Sequence, residues 1–434
     1  MLVGGEPGPW GPTTNGGRRW RLLTRVTVTL TAVALVAVAA VATTGLMLVQ
    51  KAEANLTRVP VPELENSVAS TDARHFLLVG SDARDGLADE DRQDLTLGSF
   101  DGQRSDTIIY VSISADRSAV SLVSLPRDLL VLDDDRQRKL TDTFAGGPTQ
   151  LVRIIRENFG LPVNHFVQIS LGGFIDAVRT LGGVDICLDD PLEDPKSGAD
   201  LEEGCQRLDA GDALAYVRSR SGTYGDYERI DRQQRFLRSV LSEMTDLGLL
   251  ANPGRLAQLV EDLSSNVTTD EHLSINHMRG LAGEMREVIR DDVPMGTVPA
   301  YPRSIDNVDY MIAYRPGADA MFEALREGDP LPDPGTRDDR TSTGVYLLSG
   351  GRGEGVNRVD STLRFSGFDV RAAGWGPESM DAGETTTVLV IPGEEERAGW
   401  VAAVLGAPQE LLPEGLTVPE NVQVVVAVGD DAAS

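Results

Sequence analysis

The feature that most constrains this chain is an uninterrupted apolar run near its N-terminus. Val26 to Val49 (VTVTLTAVALVAVAAVATTGLMLV) carries no charge over twenty-four residues. As a helix at about 1.5 Å per residue it is roughly 36 Å long, enough to cross a hydrocarbon core of about 30 Å. Arg18, Arg19, Arg21 and Arg25 precede it, whereas Lys51 and Glu53 follow. Positive flanks stay in the cytoplasm, so the run reads as a single-pass type II anchor in the cell membrane, with everything after residue 50 outside the cell. A cleaved signal peptide is disfavoured, because the run exceeds a typical signal core. An oxidising exterior gives the only two cysteines, Cys187 and Cys205, reason to pair. The bridge would close a loop worth about 3 kcal/mol. Two buried free thiols are the alternative.

Around the anchor the chain divides into a cytoplasmic tail (1–25), the membrane helix (26–49) and a juxtamembrane spacer (50–72) in which Pro60 and Pro62 discourage a continuous helix. Strands are expected at His75–Gly80, Thr107–Ile113, Ala119–Leu125, Val163–Ile169 and Val184–Leu188. Helices are expected at Thr149–Asn158, Gly173–Leu181, Ala210–Arg218, Ile230–Leu249, Pro253–Leu263 and Glu271–Ile289. Alternation of the two predicts an α/β layer structure over residues 73–326. A stretch dense in Pro, Gly and charge reads as a linker (327–342), and a smaller α/β domain follows (343–434). In the latter, strands at Val345–Leu348, Thr387–Ile391 and Val422–Val428 alternate with helices at Val356–Phe365 and Glu395–Leu405. Its GGRGEG run lacks the spacing and the lysine of a phosphate loop and reads as a tight turn.

Forty Lys plus Arg against sixty-seven Asp plus Glu leave a net charge of −27. That argues against a nucleic-acid partner, whose phosphates are held chiefly by neutralising cations. Four histidines and two cysteines make a Cys/His zinc site improbable. Lysine occurs only at 51, 139 and 196, so the positive charge is almost entirely guanidinium. Acid-and-arginine clusters fall where α/β folds place ligands, at strand ends: Gly80-Ser81-Asp82-Ala83-Arg84, Arg104-Ser105-Asp106-Thr107 and Pro126-Arg127-Asp128. A fourth, Arg218–Arg235 (RSRSGTYGDYERIDRQQR), has five arginines and three acids. Carboxylates that hold Mg²⁺ beside guanidiniums that grip oxygens bidentately suit a pyrophosphate.

The motifs GSDAR, RSDT, VSLPRDL and RSRSGTYGDYERIDRQQR, with LGGVDICL between them, resemble the LytR-CpsA-Psr family of wall glycopolymer ligases over about residues 73–320. The C-terminal domain is similar to one often appended to actinobacterial members. A departure falls at Lys139–Thr143 (KLTDT), where members often have an Asn and an Ala. The resemblance implies a mixed central sheet flanked by helices. It also implies a phosphotransferase that takes a polyprenyl-pyrophosphate-linked glycopolymer as donor and a peptidoglycan hydroxyl, typically of N-acetylmuramic acid, as acceptor. Polyprenyl phosphate would leave. Asp82 and Asp106 would hold Mg²⁺ (or Mn²⁺). Arg84, Arg104, Arg127, Arg218, Arg220, Arg229, Arg232 and Gln233 would surround the pyrophosphate. Asp128 and Asp226 are the two candidates for the general base. Water in place of the sugar would make the same site a hydrolase, and a non-catalytic wall- or lipid-binding attenuator is the third reading.

Overall fold

A computed structural model describes residues 56–64, 72–81, 105–222, 225–245, 266–274, 293–349, 353–375 and 383–433. The predicted anchor, the predicted helix 253–263 and the residues Asp82, Arg84 and Arg104 lie outside them. Among the described residues no helix is long and apolar enough to cross a membrane.

A seven-stranded mixed sheet organises the first domain, in the order β1-β12-β7-β2-β3-β4-β13. Its centre is β2 (Arg74–Ser81), β3 (Ser105–Ile113), β4 (Val120–Ser124) and β7 (His165–Ser170). The outer strands are β1 (Thr57–Val59), β12 (Val267–Asp270) and β13 (Met295–Thr297). β2 runs parallel to β7 and antiparallel to β3, which is antiparallel to β4. The C-terminal ends of β2, β4 and β7 therefore share one edge of the sheet with the start of β3. Leu77, Ile108, Tyr110, Val123 and Phe166 are each at most 1% exposed on these strands and share one face of the sheet, which packs into the main core.

Local chemistry sets the flanking elements. β5 (Leu130–Asp133) and β6 (Arg136–Lys139) form a hairpin whose turn residues Asp134 and Asp135 adopt positive φ. A helical turn, α1 (Leu140–Thr143), follows. α2 (Pro148–Phe159) starts on a proline at N1 and ends on left-handed Gly160. α3 (Leu171–Leu181) is capped by the Ser170 hydroxyl, which accepts from Gly173 N–H. Gly173 has a packing reason: a Cβ there would lie 2.8 Å from that of Asn266. β8 (Val184–Leu188) pairs with β11 (Gly204–Leu208), placing Cys187 opposite Cys205, and the two are joined by a disulfide. β9 (Leu192–Asp194) and β10 (Ala199–Leu201) make a second small hairpin. Asp209 caps α4 (Ala210–Arg218) through the N–H groups of Gly211 and Asp212. α5 (Asp226–Thr245) comes next and opens on Asp226. Of the helix predicted over Glu271–Ile289, Glu271 to Ser274 are turn and coil, and the remainder lies outside the described residues.

The hairpin of β14 (Ala300–Ile305) and β15 (Val308–Ala313) leads into α6 (Arg315–Glu327). Within the sequence expected as a linker, α7 (Arg337–Thr341) carries a Thr336/Asp339 capping box and buries Arg340. The last domain is a five-stranded sheet in the order β17-β16-β20-β18-β19. Its strands are β16 (Gly344–Ser349), β17 (Asp369–Trp375), β18 (Thr387–Val390), β19 (Gln409–Leu411) and β20 (Val424–Val428), with helices α8 (Gly353–Phe365) and α9 (Glu395–Leu405). Tyr301 and Tyr314 of the first domain are buried in this second core.

Candidate active site

The functional edge of the large sheet opens on a cavity of about 770 Å³. Its floor is formed by Leu78 to Ser81 of β2, Thr107 and Ile109 of β3, and Ile169 and Ser170 of β7. Phe174, Ala177, Val178 and Leu181 of α3, with Leu214 and Val217 of α4, form one wall. Phe236, Leu237, Val240 and Leu241 of α5 form the other. Polar groups gather at the other end of α5: Arg229 and Gln233, together with Arg218, Arg220, Ser221, Asp194, Lys196 and Ser197. From Arg229 to Leu241 the helix axis advances roughly 18 Å, so the cavity is a long greasy slot with a cationic end.

The backbone places these cations. Arg218 ends α4, Arg220 is exposed just beyond it, and Arg229 is only 3% exposed one turn into α5. The loop between these helices is held by buried Asp194. One carboxylate oxygen of Asp194 accepts from Arg220 N–H and from the Ser219 hydroxyl, both at 2.9 Å. The other accepts from Lys196 N–H at 3.0 Å. Burial pushes this carboxyl up, but the Arg220 N–H, the Ser219 hydroxyl and the N–H groups of Lys196 and Ser197 outweigh burial and hold it below the usual carboxylate range. The ionised group thus ties β9 to the arginine loop. Gln233 donates from Nε2 to Val217 O at 3.3 Å. Arg232 is drawn into the same scaffold: its guanidinium donates to Ser219 O at 3.0 Å and Ser221 O at 2.7 Å, and it is not among the residues that line the cavity.

Arg127 and Asp128 follow β4 at the same sheet edge. Leu125 N–H still bonds Ile108 O, which carries the β4 path past the end of its strand. Asp128 lies between two cations, with Oδ2 3.5 Å from Arg127 Nε and Oδ1 3.0 Å from Lys139 Nζ. The departure at Lys139–Thr143 therefore brings a lysine to this carboxylate. Neither Arg127 nor Asp128 lines the cavity.

The remaining predicted groups are located only by neighbours. Ser81, immediately before Asp82, pairs with Ser105, immediately before Asp106, at a register irregularity between β2 and β3. Asp106 lies in β3, and its side chain, like that of Asp226, is outside the described residues. Among the described residues no group of three or more His, Cys, Asp or Glu is placed to hold a metal.

Asp194 and Lys196 escaped the sequence reading. The available signal was the run Asp194-Pro195-Lys196-Ser197-Gly198, a composition in which Asp folds back onto its own backbone. That run marks a turn, and nothing local says that the turn faces an arginine loop.

Comparison with known proteins agrees with this architecture. The model of the LytR-CpsA-Psr family matches residues 40–327. A probable cell wall biosynthesis protein of Corynebacterium glutamicum, LcpB, is 34% identical over 279 residues, which cover 63% of this chain and 66% of that protein. TagU of Bacillus subtilis, named a polyisoprenyl-teichoic acid–peptidoglycan teichoic acid transferase, is 28% identical over 211 residues, covering 48% of this chain and 64% of that protein. The chain thus spans just under two thirds of the length of each of these relatives. A solved LytR-Csp2A-Psr enzyme from Actinomyces oris superposes with a TM-score of 0.51 at 23% identity, over 63% of this chain and 96% of that one, and this likeness bears on the fold. The chain belongs to the LytR-CpsA-Psr family. Its relatives are cell wall biosynthesis proteins, among them named transferases.

Proposed function

We propose that this protein is a membrane-anchored phosphotransferase. It moves a glycopolymer from a polyprenyl-pyrophosphate carrier to a hydroxyl of peptidoglycan, outside the cell. The observation that carries the reading is a cavity of about 770 Å³ in which an apolar slot ends at Arg218, Arg220 and Arg229. A lipid tail fills the slot by the hydrophobic effect, and the guanidiniums take the phosphate oxygens at its end. The apolar run Val26–Val49 supports a type II anchor that keeps the site beside the membrane where such lipids reside.

The proposed chemistry is a phosphoryl transfer at the cationic end of the slot. The acceptor oxygen attacks the phosphorus bonded to the glycan and forms a new P–O bond. The bridging P–O bond breaks, and polyprenyl phosphate departs with the electron pair. The acceptor proton passes to a carboxylate, for which Asp226 is favoured. Asp128 is already held between Arg127 and Lys139, and its role is to aim Arg127 at the charge that develops on the phosphoryl oxygens. Arg218, Arg220 and Arg229 neutralise the departing phosphate, and Arg232 keeps their loop in place. Mg²⁺ (or Mn²⁺) fits the donor set, because Asp82 and Asp106 are hard oxygen ligands adjoining a register pair and such ions complete their shell with phosphate oxygens. When bound, the ion neutralises charge on the donor phosphates.

The test is incubation of the full-length protein in detergent with a polyprenyl-pyrophosphate-linked oligosaccharide, Mg²⁺ and peptidoglycan. Expected products are an oligosaccharide phosphodiester on the insoluble wall and an equal amount of polyprenyl monophosphate. Free oligosaccharide phosphate with no wall conjugate would show a hydrolase instead. Tight lipid binding without turnover would leave an attenuator.

A further inference from the structure

α5 presents opposite faces to two parts of the molecule. Arg229, Gln233 and Leu237 repeat at i, i+4 and i+8 and face the cavity. Tyr227, Asp231 and Arg235 repeat in the same way two residues earlier, which turns them about 200° around the helix. That second face meets the C-terminal domain and α7. The Tyr227 hydroxyl donates to Ser366 O at 2.5 Å, and its ring meets Phe365 edge-on with centroids 5.6 Å apart. Gly367 lets the chain pass, since a Cβ there would come 3.2 Å from the Tyr227 ring. Arg340 of α7 lies over the same ring at 5.9 Å and reaches Asp231 Oδ1 at 3.8 Å. It is fixed in turn by a 2.6 Å bond from Nη1 to Gly335 O.

Tyr227, Asp231 and Arg340 are all buried, at 6%, 8% and 8% exposure. Asp231 also holds Arg235 at 3.1 Å, which extends the pairing along the helix. A buried ion pair adds little net stability against an apolar substitute, but removing one partner strands the other charge and shifts what surrounds it. Such a pair sets register, and here the register belongs to the helix that carries the cavity's arginine.

We propose that the C-terminal domain is a positioning element of the donor site. The latch, made by Phe365 and Ser366 of that domain on Tyr227 and by Arg340 of the preceding α7 on Tyr227 and Asp231, fixes α5 and thereby places Arg229 and Gln233 at the cationic end of the cavity. The proposal rests on the donor reading above and assigns the appended domain a part in it. Tyr227, Asp231 and Arg340 act through α5 and are positioning residues.

The test uses full-length Arg340→Ala, Arg340→Lys and Tyr227→Phe proteins. The readouts are affinity for a polyprenyl pyrophosphate, kcat and KM for transfer, and hydrogen exchange of the amides of residues 225–233. Arg340→Ala is expected to weaken pyrophosphate binding about tenfold, raise donor KM with it, and speed exchange at 225–233 while β2 and β3 stay protected. Arg340→Lys restores most of the loss, because a cation again faces Asp231 and the ring. Tyr227→Phe, which removes one hydroxyl, produces about a threefold change and carries the test should Arg340→Ala not fold. Folded Arg340→Ala or Tyr227→Phe protein with wild-type affinity and wild-type exchange at 225–233 would overturn the proposal. Should wild-type protein fail to bind the pyrophosphate lipid while Arg340→Ala still speeds exchange, the latch stands and the donor reading falls.

Discussion

In the seven-stranded sheet, helices α3, α4 and α5 stand off β2, β3 and β7 and leave about 770 Å³ between the layers. In the five-stranded sheet, α8 and α9 close directly on their strands, with Val359, Leu363, Val401 and Leu405 at 0% exposure among Val345, Leu347, Val424 and Val426. Both are mixed sheets with helices packed against them, and both obey the same packing rules. Protein interiors close to crystal density wherever their own side chains suffice, so a gap this large in one of two sibling layers singles out the first as the place for the proposed donor. The surrounding chemistry differs in the same sense. Cations collect at one end of the first gap, whereas the second core is filled chiefly by valine, leucine and alanine.

The largest effect expected from this contrast is catalytic. Arg127→Ala should lower transfer about 100- to 1000-fold, the scale for removing one group that stabilises developing charge. Its melting temperature should stay near wild type, because Arg127 follows β4 in a loop and belongs to no apolar core. Wild-type transfer by the purified variant would remove Arg127 from the site.

Acid sensitivity should also divide the two sheets. All four histidines lie before residue 278, none in the C-terminal domain. His75 in β2 is 4% exposed, and burial, with the neighbouring Arg74 charge, pushes it down to about 4. A histidine whose folded pKa is depressed is protonated first in the unfolded chain. Stability is therefore full above about pH 6.5 and falls as the pH drops toward 4, by on the order of 3 kcal/mol. Between pH 7 and 4.5, exchange should accelerate at β2 and β3 amides and change little at β16 and β20. A His75→Gln variant that kept the full acid loss at β2 would assign it to another group.

A smaller loss is expected at Asp194. Asp194→Ala frees the Ser219–Arg220 loop from its anchor and should raise donor KM about tenfold, with Asp194→Asn intermediate because its amide oxygen still accepts from Arg220 N–H. Unchanged KM in the alanine variant would make Asp194 a matter of β9 alone.

What the sequence disclosed and what it withheld follow from the range of the interactions involved. α4 and β8 were legible to the residue, and α9 too, because each carries its boundary signal locally: Asp209 as a cap, Gly406 as a left-handed stop, two glycines ahead of Val184. α6 was missed although Pro316 sits at its start and Ala318, Met321, Phe322 and Leu325 repeat along one face. Gly317 counts against a helix by propensity, yet it serves a contact that no local rule contains, since a Cβ there would lie 2.0 Å from Val404 O. The β5–β6 hairpin hid for another reason, because its turn uses Asp134-Asp135 where Asn-Gly is the familiar signal. Of the site, the arginines were legible as a charge anomaly in an acidic chain. The slot beneath them was not, because its apolar lining is indistinguishable from core until the layers are seen apart. The latch on Tyr227 was equally hidden, joining residues 139 positions apart.

The smallest effects sharpen the contrast most directly, by adding bulk to each layer in turn. Ala177 of α3 lines the slot, and Ala398 of α9 is wholly buried in the filled core. Enlarging a side chain in a filled core forces its neighbours off their rotamers, so Ala398→Leu should cost about 1–3 kcal/mol in unfolding free energy and leave affinity for a polyprenyl pyrophosphate near wild type. Ala177→Trp enters space that the protein leaves open. It should cost little stability and weaken binding of a long-chain pyrophosphate about tenfold, with less effect on a short-chain analogue that does not reach that depth. Denaturant unfolding alongside a lipid-binding titration reads both arms. If Ala177→Trp were as destabilising as Ala398→Leu and indifferent to chain length, the slot would be closed in solution and the two layers would not differ in the way that assigns the donor to the first.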